Sequence, residues 1–195
     1  MSSEPLRDSL DAAKQVAREL DRLGQEYALG GALALGFWGT PRGTLDVDVT
    51  LFVPKEQPEE CVRVLRAIGC ELNEPEALAS LREHGFCRTR REGITVDVFV
   101  PLIEFYDTAK ARRKRLFLEE QPAMFWDAET LSIFKMMFFR EKDLADVRQI
   151  LTVQGSVLDR IFIRTQLNDL YGRRDPRLAA WDRLVTEVPL ASETT

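Results

Sequence analysis

Thr44-Leu45-Asp46-Val47-Asp48-Val49-Thr50-Leu51-Phe52-Val53 is the stretch on which the fold turns. Leu45, Val47, Val49, Leu51 and Val53 fall at every second position, the period of a strand with one buried face, and Pro54 closes the run. Asp46 and Asp48 leave the other face, with Cα atoms roughly 6.6 Å apart at about 3.3 Å per residue. A slip of one residue would turn both acids into the core, so the apolar set fixes the register. Two carboxylates this close repel each other, and a hard divalent cation with oxygen ligands relieves that repulsion.

Working outward, Ile94 to Val100 repeats the arrangement: Asp97 stands among Ile94, Val96, Val98 and Val100. With Phe86 to Arg90 it flanks Arg91-Glu92-Gly93, which predicts a hairpin. If the two acid-bearing strands are neighbours, three carboxylates converge, a scaffold for metal-assisted phosphoryl or nucleotidyl transfer. Upstream, Gly30-Gly31 lies between a short strand, Tyr27-Ala28-Leu29, and a short apolar helix, Ala32 to Trp38. Glycines there let a backbone approach a phosphate closely, although a plain tight turn explains the pair equally well. Arg42 and Thr44 flank the strand entrance, and Arg42 is either a phosphate fork or a solvated loop arginine.

Leu6, Leu10, Ala13, Ala17, Leu20 and Leu23 have helical spacing ahead of Gly24, and helices are expected near 59–68 and 74–83. Beyond Pro101 no further strand has a strong signature, and helices are expected over about 127–139, 142–151, 156–171 and 176–185, with a frayed tail at 191–195. The fold class is therefore α+β, a small mixed sheet flanked by helices and followed by a helical C-terminal portion. The expected division is a core at 1–110 and a helical subdomain at 111–195.

With 195 residues, 45% of them hydrophobic, the chain can bury a core without staples. Its one histidine, His84, excludes histidine-rich zinc sites and most chemistry that needs several imidazoles. Cys61, Cys70 and Cys87 are odd in number and form no C-x-x-C, which reads as reduced packing thiols in a cytoplasmic protein. No basic-then-apolar leader and no membrane-length apolar run is visible.

Gly30-Gly31-Ala32, Gly39, Arg42-x-Thr44-x-Asp46-x-Asp48 and Asp97 together resemble the nucleotidyltransferase fold of the DNA polymerase β superfamily. Within it, the chain resembles AbiEii-type toxins of toxin–antitoxin systems, including the MenT-like group, and small antibiotic nucleotidyltransferases. Glu129 to Lys135, then Arg140 to Val147, is similar to the second block of the AbiEii-like families. The resemblance implies that Asp46 and Asp48 bind Mg²⁺ (or Mn²⁺) and that Asp97 completes the site or deprotonates the acceptor. It implies that Gly30, Gly31, Arg42 and Thr44 line the phosphate pocket. Lys135 would contact the NTP as a further catalytic residue, with Asp143 or Asp146 orienting it. Ala32 departs from the Gly-Ser loop better known in the superfamily, so backbone amides must serve where a serine hydroxyl would.

Lys110-Ala111-Arg112-Arg113-Lys114-Arg115 is the one dense cationic run in a chain of net charge −5, and Phe105, Tyr106 and Phe117 lie nearby. It reads either as a solvated loop or as an RNA-binding tract with stacking aromatics. With the resemblance, it favours a tRNA 3′ end as acceptor and a toxin with a cognate antitoxin. The alternatives are an aminoglycoside- or lincosamide-type antibiotic acceptor, and a nucleotide-binding module without catalysis.

Overall fold

The protein is described here by a computed structural model covering residues 4–189. Of these, the residues up to Leu33 together with Gly43–Trp126 form one compact unit, and Ala34–Arg42 with the residues from Asp127 onward form another.

The first unit is built on a six-stranded mixed sheet. In chain order its strands are β1 (Tyr27–Leu29), β2 (Asp46–Leu51), β3 (Phe86–Arg91), β4 (Ile94–Phe99), β5 (Lys114–Leu118) and β6 (Gln121–Phe125). Across the sheet they run β3-β4-β2-β1-β6-β5. β2 lies parallel to β4 and antiparallel to β1, and β6 lies parallel to β1. The alternation read in the sequence decides which face is packed: Val47, Val49, Val96 and Val98 are wholly buried. Helix α1 (Glu4–Arg22) packs on the sheet through Ala13, Val16, Ala17 and Leu20. Burying a valine or leucine side chain contributes about 1.5–3 kcal/mol, so this layer is the main restraint on register. Leu45, read as the first residue of the alternating set, lies outside β2 and is 70% exposed.

The β3–β4 hairpin forms as expected, but its loop has two residues, not three: Arg91 pairs with Ile94. Glu92 and Gly93 both have positive φ, at 48° and 83°, as a tight primed hairpin turn requires. Helices α3 (Pro58–Ala67) and α4 (Glu74–His84) connect β2 to this hairpin and supply the crossover that a parallel β2–β4 pair needs.

Three elements of this unit were not legible in the sequence. Helix α5 (Phe105–Arg112) and the β5–β6 hairpin occupy the region read as loop and helical portion. β5 carries Lys114 and Arg115 because it is a sheet edge, where charged residues are tolerated. Pro122 is tolerated in β6 because β6 meets β1 only at Leu29–Phe125, so its missing N–H breaks no ladder on that side. The β5–β6 loop, Glu119-Glu120, lacks the Asn-Gly or Asp-Gly signal of a tight turn.

The second unit is helical. Its elements are α6 (Ala128–Phe138), α7 (Glu141–Gln154), α8 (Arg160–Tyr171) and α9 (Pro176–Glu187), with the later residues of α2 (Gly31–Trp38). Leu131, Ile133, Val147, Ile150, Ile163, Leu167 and Trp181 form its core. Asp127 caps α6, its carboxylate accepting the Thr130 N–H at 2.9 Å. The tail expected at 191–195 lies outside the described residues.

Candidate active site

The parallel β2–β4 register sets Asp48 directly opposite Asp97, and Asp46 opposite Thr95. Opposed residues of neighbouring strands share a face, so Asp46, Asp48 and Asp97 all leave the sheet on one side. Asp46 is held by the Thr44 hydroxyl, which donates to its carboxylate. Asp48 is held through the backbone: its carbonyl accepts the Gly30 N–H at 2.9 Å.

The glycine pair is explained by the same strand. Gly31 has φ of 55°, and a Cβ built there would stand 1.7 Å from Asp48 Oδ2. No side chain fits, because the carboxylate lies directly against the backbone where α2 begins. A Cβ at Gly30 would press on the Trp126 indole, at 3.1 Å from Cδ1.

Asp97 has a partner that sequence reading missed. Arg88 of β3 forks onto it, donating from Nε to Oδ1 at 2.7 Å and from Nη2 to Oδ2 at 2.8 Å. The signal was present: a two-residue loop pairs Arg91 with Ile94 and therefore Arg88 with Asp97, whereas the three-residue loop read from the sequence hides the pair. Hydrogen bonding to Asp97, and beyond it the charges of Asp97, Asp46 and Asp48, raise the Arg88 pKa above its ordinary value. Among the described residues, no group of three or more His, Cys, Asp or Glu side chains is placed to hold a metal ion. Asp46 and Asp48 still offer a donor set that suits a hard cation, since Mg²⁺ commonly takes one or two carboxylates with substrate phosphates and water.

The other nominated residues gather in the helical unit. Asp146 of α7 accepts a fork from Arg42, at 3.0 Å from both Nε and Nη2, and a 2.8 Å contact from Lys135 Nζ of α6. Lys135 also reaches Asp143 Oδ1 at 3.4 Å, and Arg140 Nε donates to Asp143 Oδ2 at 2.6 Å. Lys135, Asp143 and Asp146 are buried while Arg42 and Arg140 reach solvent, so the cluster sets one buried and two exposed cations against two buried carboxylates. Burial pushes the Asp146 carboxyl up, but Arg42 and Lys135 outweigh it and hold the group below its ordinary value.

The cationic run divides between helix and strand. Lys110 and Arg113 pair with Glu26 and lie 5.2 and 4.7 Å from the Phe52 ring centroid. Arg112 ends α5, while Lys114 and Arg115 are exposed on β5 together with Phe117. Phe105 is buried, and Tyr106 packs on Trp126 with centroids 6.4 Å apart. The three cysteines are buried and free, and His84 sits exposed at the end of α4.

The chain superposes on an antigenic nucleotidyltransferase-like protein from Paracoccidioides brasiliensis over 96% of its own length and 90% of that chain, with TM-score 0.54 and 19% identity. The fold is nucleotidyltransferase-like. The antibiotic-resistance factor ANT(2'')-Ia, in complex with adenylyl-2''-tobramycin, shares this nucleotidyltransferase-like fold with TM-score 0.61 and 13% identity, over 84% of this chain and 99% of that one. In sequence, 99 residues are 33% identical to the CCA-adding enzyme of Archaeoglobus fulgidus, spanning 49% of this chain and only 21% of that enzyme. No family model matches the chain. No helix among the described residues is long and apolar enough to cross a membrane.

Proposed function

We infer that the chain transfers a nucleoside monophosphate from an NTP to an acceptor hydroxyl, with a divalent cation, Mg²⁺ or Mn²⁺, held by Asp46 and Asp48. The observation that carries this is the Asp48 carboxylate laid against the Gly31 backbone beside Asp46. That arrangement brings two oxygen donors and a side-chain-free stretch of backbone to one place. The acceptor oxygen forms a bond to the α-phosphorus, the bond to the bridging oxygen breaks, pyrophosphate leaves with that electron pair, and the acceptor proton passes to solvent. A bound Mg²⁺ would offset charge on the triphosphate. Thr44 keeps Asp46 oriented, and Gly30 and Gly31 line the path of the phosphates. In the helical unit, Arg42 and Lys135 are proposed as nucleotide contacts, oriented by Asp146 and Asp143.

The acceptor we favour is the 3′ end of a tRNA, in a growth-inhibiting AbiEii/MenT-like toxin of the cytoplasm neutralised by a cognate antitoxin. The likeness to a CCA-adding enzyme supports an RNA end, and exposed Lys114, Arg115 and Phe117 supply cations and a stacking ring for an unpaired strand. Likeness to ANT(2'')-Ia with its adenylyl-2''-tobramycin favours a second reading, an aminoglycoside acceptor. Purified protein with Mg²⁺, each labelled NTP and total RNA should label a tRNA-sized band, and the Asp46→Ala, Asp48→Ala protein should not. Label on tobramycin and none on RNA would select the second reading.

A further inference from the structure

We propose that Asp97 serves as the anchor of Arg88, and that Arg88 contacts substrate phosphate on the carboxylate face, leaving Asp46 and Asp48 as the metal ligands. The proposal rests on the nucleotidyl-transfer reading above and assigns a residue that this reading does not use.

The geometry of the pair is that of a held cation. Both Asp97 oxygens are engaged by the fork at 2.7 and 2.8 Å, the lengths of charge-assisted bonds. The Asp97 side chain is 10% exposed and that of Arg88 64%, so the acid is the rooted end and the guanidinium the presented one. The fork uses Nε and Nη2 and leaves the Nη1 hydrogens unspent on Asp97. Register puts Arg88, Asp97 and Asp48 in one row across β3, β4 and β2. A guanidinium there meets the acids on one side, and its planar donors match phosphate oxygens. For Asp97 to ligate a metal or take a proton, the fork must open and strand a mostly buried carboxylate, an unfavourable exchange. A two-carboxylate set with substrate phosphates already satisfies Mg²⁺, so nothing in the site demands that exchange.

The test compares wild type with Arg88→Gln, Arg88→Lys, Asp97→Asn and the Arg88→Gln/Asp97→Asn double variant. Free Mn²⁺ is followed by electron paramagnetic resonance without nucleotide, and binding of a Mg²⁺-loaded non-hydrolysable NTP analogue by equilibrium dialysis. Arg88→Gln and Asp97→Asn should each weaken analogue binding by about tenfold or more, the loss of charged hydrogen bonds. The double variant should be no worse than either single one, because Asp97 acts through Arg88. Mn²⁺ affinity should stay within about twofold of wild type, and Arg88→Lys should recover only part of the analogue binding, since it keeps charge without the fork.

Loss of Mn²⁺ binding in Asp97→Asn, with tighter Mn²⁺ binding in Arg88→Gln, would overturn the proposal and make Asp97 a ligand that Arg88 masks. Normal analogue binding by Arg88→Gln would overturn it as well. Arg88 is exposed, so that variant decides the matter even if Asp97→Asn does not fold. If wild type itself binds no analogue and transfers no label, the nucleotidyl-transfer reading fails, and the proposal fails with it.

Discussion

At Gly31 the backbone lies against the Asp48 carboxylate with no room for a side chain. Gly31→Ala must move the Asp48 carboxylate, because its Cβ would sit 1.7 Å from Oδ2 at a backbone φ of 55°. The left-handed backbone alone costs about 1–3 kcal/mol. The variant should lose at least that much stability in a urea titration and lose Mn²⁺ binding beyond what its stability explains. Asp146 gives a second outcome at this scale. Its folded-state pKa is depressed, so it stabilises the protein above the ordinary carboxylate value near 3.8, and that contribution disappears as pH falls through the lower folded-state value. Asp146→Asn should cost about 2–3 kcal/mol at pH 7, discounted from the range for wholly buried pairs because Arg42 is partly exposed. Stability curves against pH should show the two proteins converging below about pH 4. Asp46, Asp48 and Asp97 were legible in the sequence because their neighbours alternate. Lys135, Asp143 and Asp146 were nominated through resemblance alone, since a buried ion network leaves no periodic trace.

Elements with a strong period or a cap signal were read correctly, and those governed by position in the sheet were not. β2 and β4 announced themselves by valines at every second residue. Asp127→Ala removes the acceptor of the Thr130 N–H and should lower stability by about 1 kcal/mol, read from the urea midpoint of the helical circular-dichroism signal. β5 and β6 were missed because an edge strand can be cationic and a strand paired over little of its length can hold a proline. Neither fact is local to the sequence, since both follow from which neighbour a strand acquires. The cationic run was read as one tract. Only the sheet shows that Lys110 and Arg113 serve Glu26 while Lys114 and Arg115 face outward.

At the scale of the whole molecule, the chain divides at α2, whose first residues belong to the sheet unit and whose last belong to the helical one. A helix of eight residues has no stability of its own and depends on the packing around it. Unfolding of the sheet unit should be read directly from thiol exposure at Cys61, Cys70 and Cys87, all buried within it. Before that transition the Cys61 and Cys70 thiols should be inert. A hydrogen bond to Cys87, together with burial, pushes the Cys61 thiol far above its ordinary pKa, and burial pushes Cys70 up to about 11.

The two rims of the sheet have a consequence for how the molecule behaves among its own copies. The β3 rim is partly closed by Glu71, whose backbone exchanges both hydrogen bonds with that of Arg90, while the β5 rim bears Lys114 and Arg115 where another chain would have to add a strand. Lys114 and Arg115 should repel the same rim of a second copy, and concentrated salt, by screening them, should lower that barrier to edge-to-edge pairing, which light scattering against salt concentration would show.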